Sequence, residues 1–144
     1  VIIVNIRLMR PFHLAFPVTD LSTTKSFYVD VLQCNIGRTS DHWIDFDMFG
    51  HQVVAHLVDN KEGIETNKVD GDNVPASHFG VILTWNQWHE LRDRLISHDM
   101  EFIIEPKIRF KGEPGEQATM FFLDPCGNAL EFKSFKDDKQ IFAT

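Results

Sequence analysis

The sequence lacks the features that mark membrane-spanning, secreted and nucleic-acid-binding proteins. Its N-terminal apolar run is far too short to cross a bilayer, and Arg7 and Arg10 follow this run instead of preceding it as in a signal peptide. The only two cysteines, Cys34 and Cys126, form no CxxC pair, which predicts free thiols in a reducing, cytoplasmic compartment. With 21 acidic and 14 basic residues, the formal net charge of -7 disfavours nucleic acid and anionic membrane surfaces as partners.

The chain does contain enough apolar side chain for one folded core. It has 144 residues, of which 43% are hydrophobic, with 13 phenylalanines. At this length, folding removes roughly two-thirds of the extended chain's surface from water. There is no glycine-rich phosphate loop and no nucleophile-elbow serine, so candidate chemistry has to come from other residues.

One pattern occurs twice along the chain. HLAFPVT at 13–19 and HFGVILT at 78–84 share the order His, apolar, small, apolar, any, apolar, Thr. We interpret this as duplication of a structural unit. It predicts a first module at 11–58, a polar linker at 59–77 and a second module at 78–136. Residues 1–10 are then an N-terminal tail or extra strand, and residues 137–144 a C-terminal tail.

Each copy is predicted to be a strand, a helix and three further strands. Thr84 and Gln87 form a capping box for a helix over roughly 85–97, and Asp20 or Ser22 caps the first helix. Strand-like runs follow each helix, and DPCGN at 124–128 is a hairpin turn between the last two. The predicted fold class is α+β. Two tandem βαβββ modules form mixed, curved sheets around a metal or substrate cavity, with helices on the outside.

Strand alternation predicts that three ionisable residues face this cavity. His13, His78 and Glu131 each lie opposite the bulky apolar face of their strand, with a small residue two positions away. Two neutral imidazoles and one carboxylate match the facial triad associated with non-haem iron. A cation would also compensate the charge of Glu131 in its apolar strand.

His56 is a fourth candidate metal ligand, on the same strand face as Gln52 and Val54. Four protein ligands suit Ni, Zn or Co and Lewis-acid proton chemistry, whereas three leave room for a bidentate substrate and oxygen. The sequence leaves both ligand sets open.

Three further residues are candidates for catalytic roles. His51 begins the fourth strand, as either a second acid or base near the metal or a turn residue. Arg109 and Lys111 lie in KIRFKGEPGEQ, which is either a solvated loop or a lid whose cations pair with a substrate carboxylate.

The duplicated unit, HLAFPVTDL leading into a helix with Phe27-Tyr28, and LDPCGNALEF near the end resemble the vicinal oxygen chelate superfamily. This superfamily includes glyoxalase I, extradiol dioxygenases and bleomycin and fosfomycin resistance proteins. HFGVIL, RFKGEPGEQATMFFLDP and GNALEFK are most similar to its small extradiol-type dioxygenases. The resemblance covers about residues 11 to 136 and implies metal ligands at His13, His56, His78 and Glu131, of which the extradiol pattern uses all but His56. It also implies a homodimer, and in some members the metal site combines a unit from each chain.

The resemblance implies a metal-dependent enzyme acting on a small substrate that chelates the metal through vicinal oxygens. Fe(II) is the expected metal, with Mn, Ni or Zn as alternatives, and a dioxygenase is the expected activity. One alternative is a glyoxalase-type isomerase or lyase with Ni or Zn. The other is a metal-free protein that sequesters a small molecule.

Overall fold

The computed structural model describes residues 9–144, so the tail or extra strand predicted for 1–10 lies outside it except for Met9 and Arg10. Its elements are β1 (His13–Val18), α1 (Leu21–Ser26) continued by a π-helical turn (Phe27–Val31), β2 (Asn35–Thr39), β3 (Trp43–Met48), β4 (His51–Leu57), β5 (Thr66–Val69), β6 (Asp72–Pro75), α2 (Trp85–Ser97), β7 (Phe102–Arg109), β8 (Gln117–Leu123), β9 (Ala129–Phe135) and a 3-10 turn (Asp138–Gln140). No helix within this range is long and apolar enough to span a membrane.

The two halves follow the same path through their sheets. The first sheet has the order β1-β4-β3-β2, with β1 parallel to β4. The second has the order β7-β8-β9, and the segment that opens the second half forms parallel bridges to β9 at Phe79 and Ile82. In both halves the opening segment therefore lies beside the last strand, and the predicted α+β class is confirmed.

The helices begin where the sequence predicts. Asp20 caps α1 by accepting a hydrogen bond from the backbone N–H of Thr23 at 2.8 Å. Thr84 and Gln87 make a reciprocal capping box at the start of α2, which spans the predicted residues.

One core joins the halves, because the bulky faces of both sheets pack together with the two helices. Tyr28 stacks on Phe46 with ring centroids 5.0 Å apart, and its neighbour Phe27 reaches Phe122 of the second half at 6.3 Å. Trp88 on α2 donates from its indole nitrogen to the carbonyl of Phe132 at 2.9 Å, so this large side chain is buried without an unpaired donor.

A buried carboxylate fastens the β8–β9 turn to the first half. Asp124 accepts hydrogen bonds from the Tyr28 hydroxyl at 3.0 Å and from the Asn128 side chain at 2.9 Å. The same Asn128 amide also donates to the carbonyl of Pro17 in β1 at 2.9 Å. Burial, followed by the adjacent Asp124 charge, raises the pKa of Tyr28 well above its ordinary value.

The second half depends on a close backbone approach at Gly80. A Cβ atom placed on Gly80 would lie 1.6 Å from the carbonyl oxygen of Glu131, so only glycine fits here. The backbone N–H of Glu131 donates to the carbonyl of Phe79 at 2.9 Å, which fixes the opening segment against β9.

The segment predicted as a linker, 59–77, includes a two-stranded hairpin formed by β5 and β6. Val74 of this hairpin packs against Ile104 of β7 and Phe121 of β8. The connection between the halves is therefore partly ordered and rests on the second sheet.

Replacing Gly80 with alanine is expected to lower the free energy of unfolding by about 3 kcal/mol or more, because the added methyl group collides with backbone. Urea unfolding followed by circular dichroism measures this. Gly63→Ala is the matched control, since nothing lies within 4 Å of its added Cβ. Equal stabilities for the two variants would contradict the close approach.

Tyr28→Phe is expected to lower the free energy of unfolding by about 1.5–3 kcal/mol near pH 7, because it removes a hydrogen bond to a carboxylate. The raised pKa of Tyr28 also predicts a pH effect. Its stabilising contribution is fully present below about pH 10, the pKa in the unfolded chain, and is lost above it, because the unfolded state ionises first. The wild type should therefore lose about 1.4 kcal/mol more than the variant for each further pH unit.

Urea unfolding of both proteins at a series of alkaline pH values measures this difference. Cys34, whose pKa burial raises to about 12, is present in both proteins and cancels in the comparison. Parallel pH profiles would contradict a buried, neutral Tyr28.

Candidate functional site

His78 and Glu131 form the centre of the candidate site. His78 begins the segment that lies beside β9, and Glu131 points from β9 to the same side. The Nε2 atom of His78 lies 3.7 Å from Oε2 of Glu131, whose side chain is only 10% exposed. The structure thus brings together two of the predicted metal ligands, both from the second half.

A hydrogen bond sets the orientation of the His78 ring. Nδ1 lies 2.7 Å from the carbonyl oxygen of Pro75, and because a carbonyl only accepts, Nδ1 carries the proton and donates. In the neutral ring, Nε2 then carries the lone pair, on the side of Glu131. The ring of Phe121 lies edge-on to the imidazole at 5.0 Å. A backbone carbonyl on one ring nitrogen is the usual arrangement behind a metal-binding histidine.

The carbonyl of Pro75 belongs to the hairpin β5–β6, which charged groups hold against β7. Asp72 accepts from Lys107 and, at 2.8 Å, from Arg109, and Arg109 also lies 3.5 Å from Asp70. The hydrogen bond from Lys107, followed by the charges of both cations, lowers the pKa of Asp72. These contacts keep the carbonyl that orients His78 in place.

Lys133 shares the face of Glu131 two residues further along β9. Its ammonium lies 3.1 Å from Oε1 of Glu131, with the lysine side chain 35% exposed. In the described chain, Glu131 therefore has His78 at one carboxylate oxygen and a cation at the other.

His13 lies on the first sheet and resembles His78 in one respect. Its Nδ1 is 2.7 Å from Oε1 of Gln52, the residue directly opposite on β4. Because an amide oxygen accepts, Nδ1 donates and Nε2 is free. The side chain is exposed.

The strand register separates His56 from His13. His56 is opposite Pro17, four residues beyond the His13–Gln52 pair, or about 13 Å along the strand.

The duplicated unit has an equivalent parallel bridge in each half. Leu14 pairs with Val53 in the first half, and Phe79 pairs with Leu130 in the second. Val54 therefore occupies the position in the first half that Glu131 occupies in the second.

Residues 9–144 contain no group of three or more His, Cys, Asp or Glu side chains close enough to hold a metal ion. His78 and Glu131 lie together, whereas His13 and His56 are on the other sheet. A single chain, as described over these residues, thus presents the predicted ligands as a pair and two separate histidines.

A cavity of about 590 Å³ opens beside His78. Ala15 of β1 and Ala129 of β9 line it, together with the segment 60–65. Both alanines are among the small residues predicted to leave such a space open. The volume falls within the range of small-molecule binding sites.

The three residues with predicted catalytic roles lie apart from the pair. Arg109 is buried and bound to Asp72 as described above. Lys111 is exposed in the turn after β7. His51 accepts from the backbone N–H of Phe12 at 2.9 Å through Nδ1 and lines a different cavity, of about 450 Å³, on the bulky face of the sheets.

Sequence reasoning assigned no role to three of the groups that contact His13, His78 and Glu131: the carbonyl of Pro75, Gln52 and Lys133. The carbonyl leaves no sequence signal. Gln52 and Lys133 lie on the predicted cavity faces, so strand alternation is the sequence signal that places them beside the predicted ligands.

Comparison with known proteins identifies the family. The family model described as Glyoxalase/Bleomycin resistance protein/Dioxygenase superfamily matches residues 10–132, whereas no curated protein sequence matches. A crystal structure of a glyoxalase/bleomycin resistance protein/dioxygenase from Alicyclobacillus acidocaldarius is 32% identical, covers 92% of this chain and 96% of its own, and superposes with a TM-score of 0.77.

Two more distant structures share the fold alone. A genomically encoded fosfomycin resistance protein, FosX, from Listeria monocytogenes is 14% identical, with a TM-score of 0.68 and coverage of 92% of this chain and 98% of its own. A lactoylglutathione lyase from Agrobacterium tumefaciens is 13% identical, with a TM-score of 0.64 and coverage of 92% and 96%. On the evidence of the family match and the 32% identical structure, the chain belongs to the glyoxalase/bleomycin resistance protein/dioxygenase superfamily.

Proposed function

We propose that this protein is a metal-dependent enzyme that holds Fe(II) and oxidises a small substrate with dioxygen. The substrate would bind through two vicinal oxygens. The observation that carries the proposal is the pairing of His78 Nε2 with Glu131 at 3.7 Å, with the tautomer of His78 fixed by the carbonyl of Pro75.

The donor set fits a divalent metal. Two ligand atoms about 2.1 Å from one cation lie about 3 to 3.5 Å apart, so a small closure of the His78 and Glu131 side chains would suffice. Both imidazoles, His13 and His78, donate through Nδ1 to an oxygen, which leaves each Nε2 as a ligand atom. In Fe(II) enzymes of the facial-triad type, the protein ligands are two histidines and one carboxylate.

In the proposed homodimer, the third ligand is the partner subunit's His13. The supporting observation is that His13 is exposed and lies on a different sheet from the pair, with no third ligand beside His78 and Glu131 among residues 9–144. A two-fold axis would place the first half of each chain against the second half of the other, which generates two equal sites.

The three-ligand set is favoured over a four-ligand set that includes His56. Val54 occupies the position equivalent to Glu131, and His56 lies four residues beyond Gln52 along β4. Three protein ligands leave positions for a chelating substrate and for oxygen, which supports an oxygenase over a glyoxalase-type isomerase.

The metal would supply Lewis acidity that lowers the pKa of a substrate hydroxyl, together with the redox chemistry of iron. The chain's own residues bind and orient. The carbonyl of Pro75 orients His78, and Lys133 contacts Glu131 before the metal binds. Ala15 and Ala129 leave the cavity beside His78 open to a small molecule. The free thiols Cys34 and Cys126 are consistent with the proposed cytoplasmic location.

Metal content tests the ligand set and its sharing between chains. After anaerobic loading with Fe(II), the wild type should hold about one ion per chain, and His13→Gln, His78→Gln and Glu131→Gln should each hold almost none. A mixed dimer of His13→Gln and Glu131→Gln chains should recover about one ion per dimer, because one of its two shared sites retains all ligands. Elemental analysis of tagged and purified mixed dimers measures this.

His56→Gln is the matched control and should retain wild-type metal content. A mixed dimer without metal would show that each complete site lies within one chain. Loss of metal in His56→Gln would show that His56 is a ligand and would favour the four-ligand set.

Oxygen consumption tests the reaction class. With Fe(II) bound, a panel of catechols, 2-hydroxy acids and 2-keto acids should include a substrate for which an oxygen electrode records about one O₂ per turnover. His78→Gln should abolish the uptake. Conversion of a 2-keto aldehyde with Ni or Zn under nitrogen, without oxygen uptake by the iron form, would instead establish the isomerase.

A further inference from the structure

A row of three polar side chains crosses the second sheet beside Glu131. Lys107 of β7 pairs with Thr119 of β8, and Thr119 pairs with Lys133 of β9. Residues directly opposite in neighbouring strands project to the same face. Two lysine residues thus flank one threonine, on the face from which Glu131 approaches His78.

The side-chain hydroxyl of Thr119 has no hydrogen-bond partner among residues 9–144. The residue is 1% exposed. An unsatisfied buried hydroxyl costs about 1–3 kcal/mol, and buried polar groups in folded proteins are rarely left without a partner. Its place between two lysines suggests that the missing partner is an acceptor with negative charge.

Lys133 forms an ion pair with Glu131. The ammonium lies 3.1 Å from Oε1 of Glu131, and this carboxylate is the proposed metal ligand. A divalent cation bound by one carboxylate and two neutral imidazoles keeps a net positive charge, and Lys133, which the neutralised carboxylate attracts less strongly, adds a second. Lys107, in contrast, shares Asp72 with Arg109.

We propose that Lys107, Thr119 and Lys133 form a subsite for an oxyanion, a carboxylate or phosphate group, carried by the substrate of the proposed metal site. The inference rests on the proposed function for its link to the metal, but the subsite itself is made of residues that are independent of it. Glu131 links the two sites, because a metal ion at Oε2 would neutralise part of the carboxylate charge that attracts Lys133 at Oε1, and Lys133 would then be available to the oxyanion of the substrate.

The proposed subsite restricts the expected substrates to molecules that carry an anionic group. A molecule with two vicinal oxygens for the metal and an anionic group a few ångströms away would neutralise the charge that remains at the loaded site. The negative charge of the whole chain, -7, does not itself attract such a molecule, so the attraction has to be local.

Inorganic phosphate is the probe, and isothermal titration calorimetry measures its binding. In metal-free protein, Glu131→Gln should bind phosphate at least about tenfold more tightly than the wild type, because Lys133 no longer has a carboxylate partner. Adding Lys133→Met or Thr119→Val to Glu131→Gln should reverse most of this gain. Lys136→Met is the control, since Lys136 pairs with Glu116 outside the row.

The wild type loaded with Mn(II) should likewise bind phosphate more tightly than the metal-free wild type, and Lys133→Met should remove that difference. Binding of phosphate by Glu131→Gln that is unchanged by Lys133→Met and by Thr119→Val would overturn the subsite.

Equal phosphate affinity of the wild type with and without Mn(II), at confirmed metal occupancy, would overturn its link to the metal. Failure of Mn(II) to bind at all would contradict the proposed function, whereas the metal-free comparison of Glu131→Gln with its double variants would still decide the subsite.

Discussion

The backbone of Gly80 lies so close to the carbonyl of Glu131 that no side chain fits between them, and the candidate site depends on this approach. It holds the opening segment of the second half against β9 through the hydrogen bond between Glu131 and Phe79. His78, two residues before Gly80, is thereby carried to the carboxylate. A larger residue would separate the two strands and with them the imidazole and the carboxylate, so a packing constraint of the sheet is also a constraint on the chemistry.

The duplicated halves have kept their topology and diverged in the residues that face outward from the core. Each begins with a histidine whose Nδ1 donates to an oxygen, of Gln52 in one half and of Pro75 in the other. The carboxylate occurs only in the second half, because Val54 takes the equivalent place in the first. One half thus presents an imidazole and the other an imidazole with a carboxylate, and in the proposed homodimer these residues would form the ligand set of one metal site.

Two cations of the second sheet differ in role: Arg109 stabilises the fold, and Lys133 belongs to the proposed subsite. Arg109 is 7% exposed, and its guanidinium is used by Asp72, where it secures the hairpin whose last carbonyl orients His78. Loss of Asp72 would be costly, because the buried guanidinium would keep only the longer contact to Asp70. Lys133 is different, since its partner Glu131 is also the proposed metal ligand. In the proposed subsite, Lys133 is therefore better suited than the buried Arg109 to contact a substrate.

The sequence by itself determined the α+β class, the repeated βαβββ path, the bounds of α2 and the facing of His13, His78 and Glu131, because apolar periodicity, capping residues and strand alternation are local signals. It did not reveal the hairpin β5–β6, whose few apolar residues gain their partners only from the second sheet. The tertiary structure alone decided that Arg109 is bound to Asp72, that Val54 is equivalent to Glu131, and that His13 and His78 lie on separate sheets. Those facts depend on strand register and on contacts between residues distant in the chain, which no local pattern encodes.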